Sequence, residues 1–148
     1  MTRPSRALGL APHLFVSDVD DALSFYRRAF GAVELFRNVL PDGTVLFVEM
    51  AVGDARLLVS QEITELNALA PTTLGGTPVL LTLETGDPDD LFRRAVFAGA
   101  TVEAPVEEMF FGERYGRVVD PHGHRWALTT KRERFTPEDI DARTPREV

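Results

Sequence analysis

Cysteine is absent from the chain. Its absence excludes disulfides, thiolate zinc sites and a thiol nucleophile, and it suits a reducing compartment. Positive charge is also short. Sixteen Lys and Arg stand against 23 Asp and Glu, for a formal net charge of −7 and a pI of about 4.9. An acidic surface repels phosphate backbones, so neither nucleic acid nor an anionic membrane is expected as a partner. No apolar run approaches the roughly 20 residues of a membrane span. The first ten residues, MTRPSRALGL, hold no stretch suited to a signal peptide. A cytoplasmic protein is expected. Also missing are a GxSxG nucleophile elbow, a P-loop and a GxGxxG turn.

What is present is a chain of 148 residues, 44% hydrophobic and 26% charged. That is enough for one domain, residues 1–148, burying roughly two-thirds of its unfolded surface. The most informative stretch is GERYGRVVDPHGHRWALT, from Gly112 to Thr129. It predicts strands over Tyr115–Asp120 and His124–Thr129. Pro121-His122-Gly123 forms the turn, because Pro fixes φ and Gly accepts a positive φ.

Upstream, the chain reads as one unit written twice. Leu8–Val16 predicts a strand with Ala11, His13 and Phe15 on one face. Ser17–Phe30 predicts a helix, with acids at its start, Arg27 and Arg28 near its end, and Gly31 as its stop. Three short strands follow, Ala32–Leu40, Thr44–Val52 and Ala55–Ser60, so module 1 runs from about 8 to 60 as βαβββ. Residues 61–76 form a linker rich in Pro, Thr and Gly, with room for a helical turn. Module 2, about 77–130, repeats the order: a strand over Pro78–Thr85, a helix over Asp87–Ala98, a strand over Thr101–Glu107, then the closing hairpin. A tail helix is expected over about 136–143, because Thr136-Pro137-Glu138-Asp139 supplies an N-cap, a Pro at the first position and two acids. The fold class is α+β: two tandem βαβββ modules.

These modules resemble the vicinal oxygen chelate superfamily of glyoxalases, bleomycin-resistance proteins and extradiol dioxygenases. The resemblance rests on DxxxAxxFYxxxFGA in the first helix and GERYGRVVDPHGHRWAL at the close. Within that superfamily, Phe25 to Ala32, Gly75-Gly76-Thr77-Pro78 and Phe110 to Trp126 are most similar to the PhnB-like subgroup. The resemblance implies curved sheets forming a cup with helices outside, a small-molecule ligand or a metal inside it, and a homodimer. It places metal ligands at four strand positions, which here are Ala11, Leu58, Thr82 and Ala127. Three of these cannot donate to a metal, and Thr is a poor ligand for a divalent ion. A shift of register brings back His13 or Glu49, which still falls short of three donors. No metal and no other cofactor is therefore expected.

Eight residues are expected to line a pocket: His13, Phe15, Phe47, Glu49, Thr82, Phe111, Tyr115 and Arg125. His13 is either a strand histidine paired to a neighbour or a pocket group that titrates near neutral pH. Glu49 sits on a strand apolar on both faces, so it is either paired to an arginine or poised to meet a ligand or act as a base. Arg125 shares the parity of Ala127 and is the expected partner of Glu49. Phe111 and Tyr115 suit stacking on a planar ligand, whereas Trp126 suits the core. Arg114 and Glu113 are expected to be solvated or interface charges. His122 and His124 flank the turn and are expected to be structural. Asp18, Asp20 and Asp21 complement the helix dipole. Besides a protein whose cup is filled by its own side chains, making it an interaction module, two functions remain open at this point. One is a metal-independent binder of an aromatic or drug-like molecule, the antibiotic-sequestering kind. The other is a glyoxalase-like lyase or isomerase, or a dioxygenase, using a divalent metal or Glu49 or His13 as base.

Overall fold

Asp18 and Asp87 start the two long helices in the same way. The Asp21 amide donates to Asp18 Oδ1 at 3.1 Å, and the Asp90 amide donates to Asp87 Oδ1 at 3.0 Å. Each carboxylate satisfies a backbone donor that the helix itself leaves open. In the computed structural model, residues 3–131 and 135–147 are described. The first module comprises β1 (His13–Val16), α1 (Val19–Phe30), β2 (Val33–Val39), β3 (Val45–Val52) and β4 (Ala55–Gln61). A connector follows, holding a 3₁₀ turn at Thr64–Leu66 and the short α2 (Pro71–Leu74). The second module comprises β5 (Leu80–Glu84), α3 (Pro88–Phe97), β6 (Thr101–Glu108), β7 (Glu113–Val119) and β8 (Arg125–Lys131). The tail helix α4 spans Pro137–Arg143 and opens with a capping box between Thr136 and Asp139.

The expected pair of βαβββ modules is present. They form two four-stranded sheets, ordered β1-β4-β3-β2 and β5-β8-β7-β6. The first and last strand of each module run parallel, and the other pairs run antiparallel. The expected first strand is shorter than its hydrophobic pattern. It begins at His13, because Pro12 has no amide to offer a ladder. Residues 3–10 are exposed and carry no regular structure.

Strand alternation divides each sheet into two faces. One face packs on the helices, through Val16, Val48, Met50 and Val59 in the first module and Val118 and Leu128 in the second. The two helices also pack on each other, so a single apolar core runs through both modules. Burying a large apolar side chain is worth about 1.5–3 kcal/mol. Seven of the twelve residues of α1 are buried, which makes this helix the centre of the core. Among the described residues, no helix packs extensively on the other face of either sheet. The strand β3, apolar on both faces, is most deeply buried on the helix side and half-buried on the other.

A buried carboxylate holds the modules together. Asp120, 3% exposed, directly follows the second module's penultimate strand. Its Oδ2 accepts from Tyr26 Oη of α1 at 2.6 Å and from Trp126 Nε1 at 2.9 Å. Its Oδ1 accepts from the amides of His122 and His124 at 2.8 and 3.1 Å. Burial, with the adjacent carboxylate, pushes the Tyr26 phenol well above its ordinary pKa, so it stays a donor. The turn itself adds two bridges to the first module. His122 Nε2 lies 3.0 Å from Asp21 Oδ2, and His124 Nε2 lies 2.8 Å from the Phe15 carbonyl oxygen. The structural reading of both histidines agrees with these contacts. Gly123 has φ +88, and a Cβ there would meet Pro71 Cβ at 2.8 Å. The connector is thereby pressed onto the closing turn.

Asp120→Ala would strand two buried donors, the Tyr26 hydroxyl and the Trp126 indole, at about 1–3 kcal/mol each. The variant is expected to lose about 3 kcal/mol or more of stability in urea unfolding. Tyr26→Phe leaves the carboxylate its other three donors and is expected to lose about 1 kcal/mol.

Candidate functional site

The helix-free face of the first sheet is built in rows. His13, Leu58 and Glu49 are level across β1, β4 and β3, and Phe15, Ser60 and Phe47 form the next row. The His13 ring stacks on Phe15, with centroids 4.7 Å apart and planes at 29°. Its Nε2 lies 2.6 Å from Ser60 Oγ. Partial desolvation against Phe15 and the sheet lowers the His13 pKa below its ordinary value, which keeps the ring neutral at pH 7. Phe47 meets Phe36 of β2 at 5.8 Å. Glu49 Oε1 is 2.8 Å from Arg56 Nη1.

The corresponding face of the second sheet is polar. Thr82, Ala127 and Arg117 form one row, and Tyr115 and Thr129 are level in another. Arg125 donates through Nε to Glu103 Oε2 at 3.0 Å and through Nη2 to Oε1. A register shift between Val102 and Ala104 accompanies Glu103's position among these arginines. Arg117 Nε lies 3.1 Å from Glu103 Oε1, but it is buried and not aligned for a hydrogen bond. Arg125, with Arg117 beside it, holds the Glu103 carboxyl below the usual glutamate range. Phe111 approaches Tyr115 edge-on at 6.0 Å.

One expected pairing and one expected solvated charge are corrected here. Glu49 and Arg125 stand on different sheets, and each has a nearer partner, Arg56 and Glu103. Arg114 is not a solvated charge: it grips Asp89 of α3 with two bonds, at 2.6 and 2.9 Å. Glu113 accepts from the Thr129 hydroxyl at 2.8 Å.

A cavity of about 310 Å³ lies where β1, the connector and β5 converge, walled by Pro12, His13, Phe15, Pro71, Val79 and His124 among others. It unites His13 and Phe15. A second, more open hollow of about 370 Å³ lies between the connector, Val119 and Arg125. Phe47 and Glu49 stay on the first sheet's face, and Thr82 and Tyr115 on the second's, outside both hollows. Ser60 and the connector residues went unrecognised in the sequence. Ser60 shares its strand parity with Leu58, which places it on the same face. The connector's part in the cavity has no sequence signature.

Residues 8–128 match the model of the Glyoxalase/Bleomycin resistance protein/Dioxygenase superfamily. The chain belongs to this superfamily. An uncharacterised Mycobacterium tuberculosis protein, Rv0887c, is 38% identical over 136 residues, spanning 90% of this chain and 80% of its own. An uncharacterised Arabidopsis thaliana protein, At5g48480, is 30% identical over 129 residues, 82% of this chain and 76% of its own. Among solved structures, TioX from Micromonospora sp. ML1 superposes with a TM-score of 0.67 at 25% identity, over 84% of this chain and 99% of that one.

Superfamily membership raises the question of a metal at the four strand positions. The register moves the first of them: Ala11 lies outside β1, and His13 is the residue level with Leu58. In the second sheet Thr82 and Ala127 are level. The set is then one imidazole, one hydroxyl and two side chains with no donor. Its imidazole already meets Ser60. These residues do not fit a divalent ion, which needs at least three N, O or S donors. Among the described residues, no group of three His, Asp or Glu side chains is placed to hold one.

Glu103 gives a pH signature. Its folded pKa is below the ordinary 4.5, so its stabilising contribution is complete above that value. It is lost as pH falls through the lower folded pKa. Urea midpoints between pH 7 and pH 3 are expected to fall less steeply for Glu103→Gln than for the wild type below about pH 4.5.

Proposed function

We propose that this superfamily member is a metal-independent binding protein for an aromatic or drug-like small molecule, most similar to the PhnB-like subgroup and acting in the cytoplasm. The observation that carries the reading is the cavity at β1, walled by Phe15, prolines, aliphatic side chains and two hydrogen-bonded imidazoles, of which His13 is stacked on Phe15. Mostly apolar walls with a few fixed polar groups suit capture of a planar molecule. The donor set at the metal positions supports the same reading. So does Glu49, whose ion pair with Arg56 opposes service as a general base. Affinity is then the whole activity.

The protein also acts as a homodimer. β2 is an edge strand whose Val33, Leu35, Phe36 and Val39 are each about half exposed, on both of its faces. An uncovered apolar edge promotes aggregation, and a second copy is the partner that covers it.

Thermal-shift measurements across a panel of planar aromatics, made with chelator present, are expected to reveal ligands that raise Tm by several degrees. A stoichiometric, tightly held ion in protein purified without chelator, or binding that vanishes with EDTA, would overturn the metal-independent reading. In sedimentation velocity the wild type is expected to run as a dimer. Phe36→Asp, which buries a charge in the covered edge, is expected to raise the dimer dissociation constant at least 100-fold.

A further inference from the structure

The Ser60 hydroxyl decides how the His13 ring is protonated. Ser60 is 5% exposed, and its side chain meets one partner among the described residues, His13 Nε2 at 2.6 Å. Two arrangements are open to this pair. If Nε2 carried the proton, the hydroxyl would accept it, and its own proton would be buried with no acceptor, at about 1–3 kcal/mol. If the hydroxyl donates to Nε2, both protons are accommodated, because His13 itself is exposed and Nδ1–H is free to meet water or a guest. The second arrangement leaves only oxygen lone pairs underused, which is the smaller loss.

The ring is also held in place. Stacking on Phe15 sets its plane, the bond to Ser60 sets its rotation, and partial desolvation favours its neutral form. The other imidazole in the cavity wall, His124, uses its Nε2 on the Phe15 carbonyl. The Thr77 hydroxyl oxygen accepts from the Val79 amide at 3.2 Å. His13 Nδ1 has no protein partner among the described residues.

Resting on the binding reading above, we infer that the Ser60–His13 pair presents a fixed Nδ1–H donor at the cavity, which selects a neutral, planar, apolar molecule bearing a hydrogen-bond acceptor. Cavity size sets the scale of the guest. A cavity of roughly 150 Å³ holds benzene, so about 310 Å³ accepts a fused two-ring system. A molecule with only a donor at that point would face Nδ1–H and be disfavoured. Ser60 is a positioning residue, because it acts through the ring.

Quinoline and naphthalene test this directly, since they share shape and differ by one ring acceptor. The wild type is expected to bind quinoline about tenfold more tightly, the worth of one hydrogen bond. His13→Phe keeps a ring to stack on Phe15 but has no donor, and the two probes are expected to bind it equally. Ser60→Ala is expected to cut the quinoline preference at least threefold. A structural readout needs no ligand and no variant. Nitrogen-15 shifts of the His13 ring in the free wild-type protein are expected to show Nδ1 protonated and Nε2 bare, and in Ser60→Ala a mixture. Finding Nε2 protonated in the wild type overturns the inference. Equal binding of the two probes to the wild type overturns it and leaves the binding reading standing. Binding of neither probe overturns both.

Discussion

One buried carboxylate carries the architecture. Asp120 gathers a phenol from the first module's helix, an indole from its own sheet and two amides from its own turn. A charge so enclosed is tolerable only when donors surround it. That requirement fixes the closing turn against α1 and sets where the first module meets the second. The bonds of His122 to Asp21 and His124 to the Phe15 carbonyl follow from that placement. The second of these reaches β1 itself, so the position of the cavity wall depends on the same junction. Fold and site therefore share one anchor.

The two helix-free faces divide the chemistry. The face of the first sheet offers aromatic rings, one imidazole and the Glu49–Arg56 ion pair. The second is dominated by Glu103, shared by Arg125 and Arg117. Membership of the glyoxalase and bleomycin-resistance superfamily leaves the activity open, since related folds host different chemistries. What narrows it is local: apolar side chains where donors would be needed, and an imidazole committed to a serine rather than left for an ion.

The sequence made the local structure legible and the distant contacts illegible, for physical reasons. Capping by Asp18 and Asp87, the stop at Gly31 and the turn before His124 are written in adjacent residues. Parity within a strand correctly grouped His13 with Phe15 and Glu49 with Phe47. Parity does not say which neighbour a charge will meet, so Glu49 and Arg125 were matched across sheets that keep them apart. The register irregularity near Glu103 is invisible to a period of two. Asp120 and Tyr26 lie 94 positions apart, and no periodicity links them. The observed first strand is shorter than its hydrophobic alternation, which runs on past a proline that accepts from the Leu58 amide but has no amide of its own to donate.

The connector between the modules is packed against both of its neighbours. Here Pro71 presses on Gly123, and residues from Leu69 to Val79 roof the hollow beside β1. Most of this stretch lies outside both sheets, so its side chains answer to few demands from the fold. Relatives that trade residues in this interval can therefore change the shape of guest they admit while keeping every strand and helix. The hinge of the duplicated architecture is thus also its most evolvable wall.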